Sequence, residues 1–191
     1  DTAGTPDDTS TYEAGIKAGP PSLRRLTRIQ FENAILDLLG EDIVVPTLAE
    51  IDIARGGLLS VGASEVTFSP RGVESLEATI YGVAAQVFET PSRRARILPC
   101  EPSSAVDPTC SLAFVTTFGQ RAWRRPLEEE EATRIAAIAD FVAGEADDFF
   151  VGAEFALAAI LQSPNFLFRA ELGGDIPGHF SDLELASKLS F

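Results

Sequence analysis

Apolar residues recur at helical spacing along most of the chain, and nearly every such stretch opens on a polar cap or a Ser/Thr/Asp-Pro pair. In RRLTRIQFENAILDLLG, residues 24–40, the positions Ile29, Ala34, Ile35, Leu38 and Leu39 form one stripe. Thr27 followed by Gln30 is a capping box, and Gly40 is a natural stop. Ser22 could open this helix a turn earlier, which would place Arg24, Arg25 and Arg28 on it. Ser69-Pro70 starts a second helix with Val73, Leu76, Ile80, Val83, Ala84 and Val87 inward, ending near Phe88. Thr90-Pro91 opens a short helix through SRRAR, and Asp107-Pro108 opens another over TCSLAFVTTFGQRAW, with Leu112, Val115, Phe118 and Ala122 on one face. A helix from about Glu128 to Val142 turns Ile135, Ile138, Ala139 and Val142 inward, and its acidic opening suits the positive end of the helix dipole. The stretch from about Asp147 to Gln162 carries Phe150, Phe155, Ala158, Ala159 and Leu161, an apolar distribution that predicts a central helix buried on nearly all sides. Ser163-Pro164 adds one more turn, followed by the apolar triplet at 166–168.

Between these elements the pattern fails. Residues 1–21 are polar and rich in Gly, Pro, Thr and Asp, an acidic tail with little regular structure. Residues 41–68 are irregular, broken by Pro46 and Gly56-Gly57, with room for a short helix near 47–54 and strand propensity at 66–68. Gly173, Gly174, Pro177 and Gly178 form a loop, after which Ser181 and Glu184 make a second full capping box. That box launches Leu183, Leu185, Ala186, Leu189 and Phe191. A capped helix of this length is marginal alone, so Leu185, Leu189 and Phe191 are expected to be covered by the remainder of the same polypeptide or by a partner chain. The predicted fold class is all-α: an irregular multi-helix bundle with one long irregular segment (about 41–68) and a loop closed by a disulfide. The domains expected are a tail over 1–21, a helical domain over 22–99, a second helical domain over 100–172, and a linker with the first helix of a following domain over 173–191.

Composition narrows the functional classes. Asp and Glu number 29 against 15 Lys and Arg, giving a net charge of −14 over 191 residues. Such a chain lacks the clustered cations that nucleic-acid binding requires, so no nucleic-acid partner is expected. No apolar run is long enough to span a bilayer. The first residue is Asp1 and there is no Met anywhere, as removal of an export signal or an internal start would produce. Cys100 and Cys110 bracket a loop rich in Pro, Ser and Asp. The choice is between a disulfide and two buried thiols, and the loop composition favours the disulfide, which implies an oxidising compartment. Two thiolates without further ligands do not make a zinc site.

Candidate chemistry is sparse. The single histidine, His179, lies in a Gly/Pro loop, where an exposed imidazole is the ordinary outcome. Glu128–Glu131 and Asp147-Asp148 are explained as helix starts. Arg93, Arg94 and Arg96, like Arg124 and Arg125, could meet an anionic ligand, but surplus carboxylates on neighbouring helices are the simpler partners. Trp123, the only Trp, falls at a helix end, at the edge of the core or at a domain interface. No phosphate-binding loop and no nucleophile elbow is present.

Three segments carry a resemblance. The stretch 24–40 resembles the N-terminal signature of large exported proteins of planctomycetes and myxobacteria, whose domains are mostly of unknown function. FGQRAWRRPLEEEEATRI (118–135) and ALAAILQSPNFLFR (156–169) resemble a middle domain of those proteins, and SDLELASKLSF (181–191) resembles the opening of the next. Many members also carry a c-type cytochrome domain. This chain has no CxxCH, so there is no cofactor in this chain, and a c-type haem would sit on a missing domain or a partner chain. The resemblance implies an extracytoplasmic location, periplasmic, cell-surface or secreted. It also implies one of two roles. The first is a non-catalytic helical scaffold or interaction part of a larger exported, cytochrome-c-linked protein. The second is the N-terminal part of an extracytoplasmic enzyme, a haem-linked oxidoreductase or a polymer-degrading hydrolase, whose active site lies mainly outside this chain. No catalytic residue transfers with the resemblance.

One prediction concerns Cys100 and Cys110. The intact mass of the purified chain should rise by two hydrogens on treatment with reductant, and an unchanged mass would show that the thiols were free.

Overall fold

The computed structural model describes residues 22–63, 68–173 and 179–190. The tail 1–21, most of the stretch at 66–68, the loop residues Gly174, Pro177 and Gly178, and Phe191 lie outside the described residues.

The fold is helical, as the periodicity predicts. In chain order the elements are β1 (Ser22–Arg25), α1 (Arg28–Leu39), α2 (Leu59–Ala63), α3 (Pro70–Glu89), α4 (Pro91–Ile97), α5 (Pro108–Trp123), α6 (Glu129–Ala146), α7 (Phe149–Gln162), α8 (Pro164–Leu167), β2 (Phe168–Glu171) and α9 (Asp182–Leu189). The caps behave as the local sequence dictates. Thr27 and Gln30 exchange both bonds of a capping box, and the side chains of Ser69, Asp107, Ser163 and Ser181 accept backbone N–H bonds in the first turns they open. Thr90 is the exception. Its proline sets the start of α4, but its hydroxyl makes no capping bond.

The core is one cluster that draws on buried residues from Leu26 to Leu167. At its centre lies α7, with Phe149, Gly152, Ala153, Ala156, Leu157, Ala158, Ile160 and Leu161 buried. Helices α3, α5 and α6 pack around it. Its small residues let α6 approach closely: a Cβ built on Gly152 would meet the Ala139 carbonyl oxygen and the Ala143 side chain.

Several expectations are corrected. Residues 22–25 do not extend α1 backwards but form β1, which pairs antiparallel with β2 from Ser22↔Glu171 to Arg25↔Phe168. The pairing continues with Leu26 N–H donating to the Leu167 carbonyl at 2.9 Å, so backbone groups that a helix would use internally are used across the chain. No helix forms at 47–54; among the described residues of the irregular segment the short helix is α2, further along. Ile29, Val73, Leu112 and Ile138 lie exposed, and Phe31 takes the inward position near the start of α1. Trp123 is buried rather than at an edge, its indole Nε1 donating to the Ile160 carbonyl at 3.1 Å.

The irregular segment is pinned by side chains that replace missing ladder bonds. Gln86 on α3 donates to the Val44 carbonyl and accepts from its N–H, both at 2.9 Å. Glu50 accepts from Ser69, and the Ser75 hydroxyl accepts from Ala49 N–H. Asp52 accepts from the buried Arg25 at 2.8 Å and from Arg28 N–H at 2.7 Å, tying the segment to β1 and to the first turn of α1. The Cys100–Cys110 disulfide joins the turn after α4 to the first turn of α5.

The α6–α7 contact generates a prediction with an unusual sign. Gly→Ala inside a helix ordinarily stabilises by about 1 kcal/mol. Here the added methyl meets backbone, and overpacking of this kind costs about 1–3 kcal/mol. Gly152→Ala should therefore lower the denaturation midpoint; a raised midpoint would show that α6 and α7 have room to separate.

Candidate functional site

The segments singled out by sequence converge at one end of the bundle, around the β1–β2 sheet. The turn after α5 begins at Arg124, which caps that helix in a left-handed conformation at φ 59°. Its guanidinium lies over the Phe166 ring at 5.5 Å and donates to the Phe166 carbonyl at 3.2 Å. Burial pulls its pKa down to about 10, and the neighbouring positive charge of Arg169 acts in the same direction. Arg125 turns the other way. It lies over Trp123 and forms a bidentate pair with Glu131 at 2.7 and 2.8 Å. Glu131 in turn accepts from Glu128 N–H and completes the capping box of α6. The Arg125 guanidinium holds the Glu131 carboxyl below its ordinary range, against the opposing effect of burial. The acidic run at 128–131 is thus a helix start with a paired arginine.

The SPNFLFR stretch supplies the other wall. Ser163 caps α8, Phe166 is fully buried and edge-on to Phe31, and Phe168 meets Phe68 edge-on. At the end of β2, Glu171 is 7% exposed and faces three cations: Arg24 at 2.9 Å, Lys188 at 3.5 Å and Arg169 at 3.7 Å. Lys188 belongs to α9, so this carboxylate links the sheet to the last helix.

The seat of α9 is polar. Glu184 accepts from Ser181 N–H within the capping box, and also from Leu172 N–H at 2.7 Å and Gly173 N–H at 3.2 Å. These are the first amides beyond β2. Burial opposes ionisation of Glu184, but the backbone bonds from Ser181, Leu172 and Gly173 outweigh it and hold the carboxyl below its ordinary range. No residue of α9 is buried. Leu183, Leu185 and Leu189 are 51%, 47% and 79% exposed. Between α9, the sheet and the turn at Arg124–Pro126 runs an open groove of about 570 Å³ whose apolar walls include Leu23, Phe168, Leu172 and Leu183. Leu185 and Leu189 do not line this groove; Phe191 is outside the described residues.

Other candidates are placed as follows. His179 is exposed. Asp148 caps α7 by accepting from Phe150 N–H, and Asp147 ends α6 in a left-handed conformation. Among the described residues no group of three His, Cys, Asp or Glu side chains could hold a metal ion, and no helix is long and apolar enough to cross a membrane. The two cysteines are joined to each other, so neither offers a thiol for thioether attachment of a haem.

Residues 110–171 match the family described as PSD5: Protein of unknown function (DUF1595). The match runs from Cys110 through the turn at Arg124–Pro126 and α7 to the end of β2, so it contains one strand of the sheet and the floor of the groove. No curated protein and no solved structure matches the chain.

The seat of α9 should respond to the titration of Glu184. Folding lowers its pKa, so its contribution is complete above the unfolded carboxylate range near pH ~4.3 and fades as pH falls through the folded value. Acidification from about pH 5 to about pH 3 should speed amide exchange at Leu172 and Gly173 relative to the exchange expected for an unfolded chain at the same pH. Glu184→Ala should do the same at neutral pH while the core amides of α7 keep their protection. Unchanged protection at Leu172 in that variant would show that Glu184 does not seat α9.

Proposed function

We propose that this chain is a non-catalytic helical scaffold and interaction part of a larger exported protein, and that α9 is the first helix of the domain that follows it. The observation that carries this reading is that polar bonds hold α9 while its leucines stay uncovered. Glu184 and Lys188 fix it to the end of β2, Leu183 lines the open groove, and Leu185 and Leu189 are exposed outside it. An eight-residue helix with no buried residue has packed none of its leucines into the bundle that holds it. The occupant is the polypeptide that continues beyond α9, packing on this face. The disulfide supports export, since such bonds persist in oxidising compartments.

The test compares the 191-residue chain with the intact native polypeptide. Amides of α9 should exchange more slowly in the intact polypeptide. Leu189→Asp should change the stability of the 191-residue chain by less than about 0.5 kcal/mol and destabilise the intact polypeptide by about 1–3 kcal/mol, the cost of burying an unpaired polar group. Equal exchange in the two, or a native polypeptide that ends at Phe191, would overturn the reading.

A further inference from the structure

Helix α4 carries three arginines in four positions, and they have different fates. Arg93 pairs with Asp42 at 2.8 Å and donates to the Gln86 carbonyl; Arg96 pairs with the other Asp42 oxygen at 2.6 Å. Together they clamp the turn after α1 and hold the Asp42 carboxyl well below its usual range. Arg94 turns away from them. Its guanidinium lies over the Phe150 ring, 4.1 Å from the centroid, and its Nε is buried without a hydrogen-bond partner. Among the described residues it meets no carboxylate within ion-pairing distance, although the chain has 29 acidic residues for 15 basic ones. Beside it opens a cavity of about 300 Å³, walled by Phe150, Leu98, Pro99 and Cys100, with Glu101 also lining it.

A guanidinium that is partly desolvated, backed by an aromatic face and left without an anion carries a cost that a bound anion would relieve. The planar fork of arginine suits a carboxylate, which it can hold by two parallel bonds. We propose that this cavity binds a small organic carboxylate, its oxygens on Arg94 and its apolar body against Leu98, Pro99 and Phe150. The volume is at the lower end of ligand pockets, roughly 300–1,000 Å³, which fits a molecule of a few carbons rather than a peptide. Glu101 has no ion-pair partner among the described residues. It disfavours a second negative charge on the ligand and favours an ammonium group, so a zwitterionic amino acid fits the same arrangement.

The experiment is a titration of the 191-residue chain with isovalerate, leucine and isoamylamine, followed by calorimetry and by amide shifts of residues 94–101 and Phe150. Isovalerate should bind saturably and isoamylamine should not. Leucine binding more tightly than isovalerate would assign Glu101 to the ammonium group. Arg94→Gln should abolish binding, and Arg94→Lys should weaken it about tenfold, the loss of one charged hydrogen bond. Because Arg94→Gln could disturb the α4–α7 contact, Ala95→Leu provides a second route: the residue is exposed and lines the cavity, so the larger side chain fills the site without touching the core. Absence of saturable binding by both isovalerate and leucine overturns the proposal, as does binding that survives Arg94→Gln or Ala95→Leu in a variant with an unchanged unfolding midpoint.

Discussion

The burial of α7 is the constraint on which the rest of the structure depends. Its inward positions are mostly Gly, Ala, Leu and Ile, and Gly152 lets the backbone of α6 come to contact. Close backbone approach registers the two helices tightly, because neither can slide without driving a Cβ into a carbonyl. The registration propagates. Trp123 fixes the end of α5 by its bond to the Ile160 carbonyl of α7, so the left-handed turn at Arg124 starts from a defined place. The chain leaves α7 directly into α8 and β2. The sheet, the arginine turn and the seat of α9 are therefore all positioned by one central helix.

Around that helix the polar residues select a single arrangement more than they add stability. Arg25 with Asp52, and Glu171 among its cations, are largely removed from water. Replacing a buried ion pair with apolar residues is often neutral, whereas removing one partner costs several kcal/mol. Such pairs penalise alternatives. Shifting β1 by one residue against β2 would turn Arg25 away from Asp52 and Arg24 away from Glu171, since side chains alternate faces along a strand. The long segment at 41–58 is ordered by the same logic: it has no ladder, and Asp52, Glu50 and the Val44–Gln86 exchange replace one.

What was legible in the sequence follows from the range of the interaction that decides each feature. Caps depend on residues within three positions, and Thr27, Ser69, Asp107, Ser163 and Ser181 act as read. The disulfide needed only two cysteines and a suitable loop. The sheet was invisible because it joins residues 22–25 to 168–171, and Ser-Leu-Arg-Arg before a capping box reads as helix when its partner is unknown. Ile29, Val73 and Leu112 were misplaced because their helices carry more apolar residues than the core can cover, and periodicity does not say which are left out. The groove was half legible. The amphipathic pattern of α9 shows in Leu185 and Leu189, but the second use of Glu184, as acceptor for Leu172 and Gly173, depends on where β2 ends. Arg94 could not be told from Arg93 and Arg96 until Asp42 was seen to take both of the others.

The proposed docking role of α9 rests on the way this short exposed helix is held. In isolation eight residues would fray, because nucleation is costly and propagation is brief. Here the first turn is closed by a full capping box whose glutamate is also bonded to the end of β2, and Lys188 reaches the buried Glu171. All of these bonds are polar and lie on the side facing the sheet, so they order the helix without consuming its leucines. A partner that packs on Leu185 and Leu189 would meet a helix part of whose ordering cost is met by these polar bonds, which is the advantage of preorganisation in binding. The same geometry fixes direction. With its N-terminal turn held at Leu172 and Gly173, α9 sets Leu183 beside Leu23, Phe168 and Leu172, so the groove is assembled from two strands and a helix that are far apart in sequence.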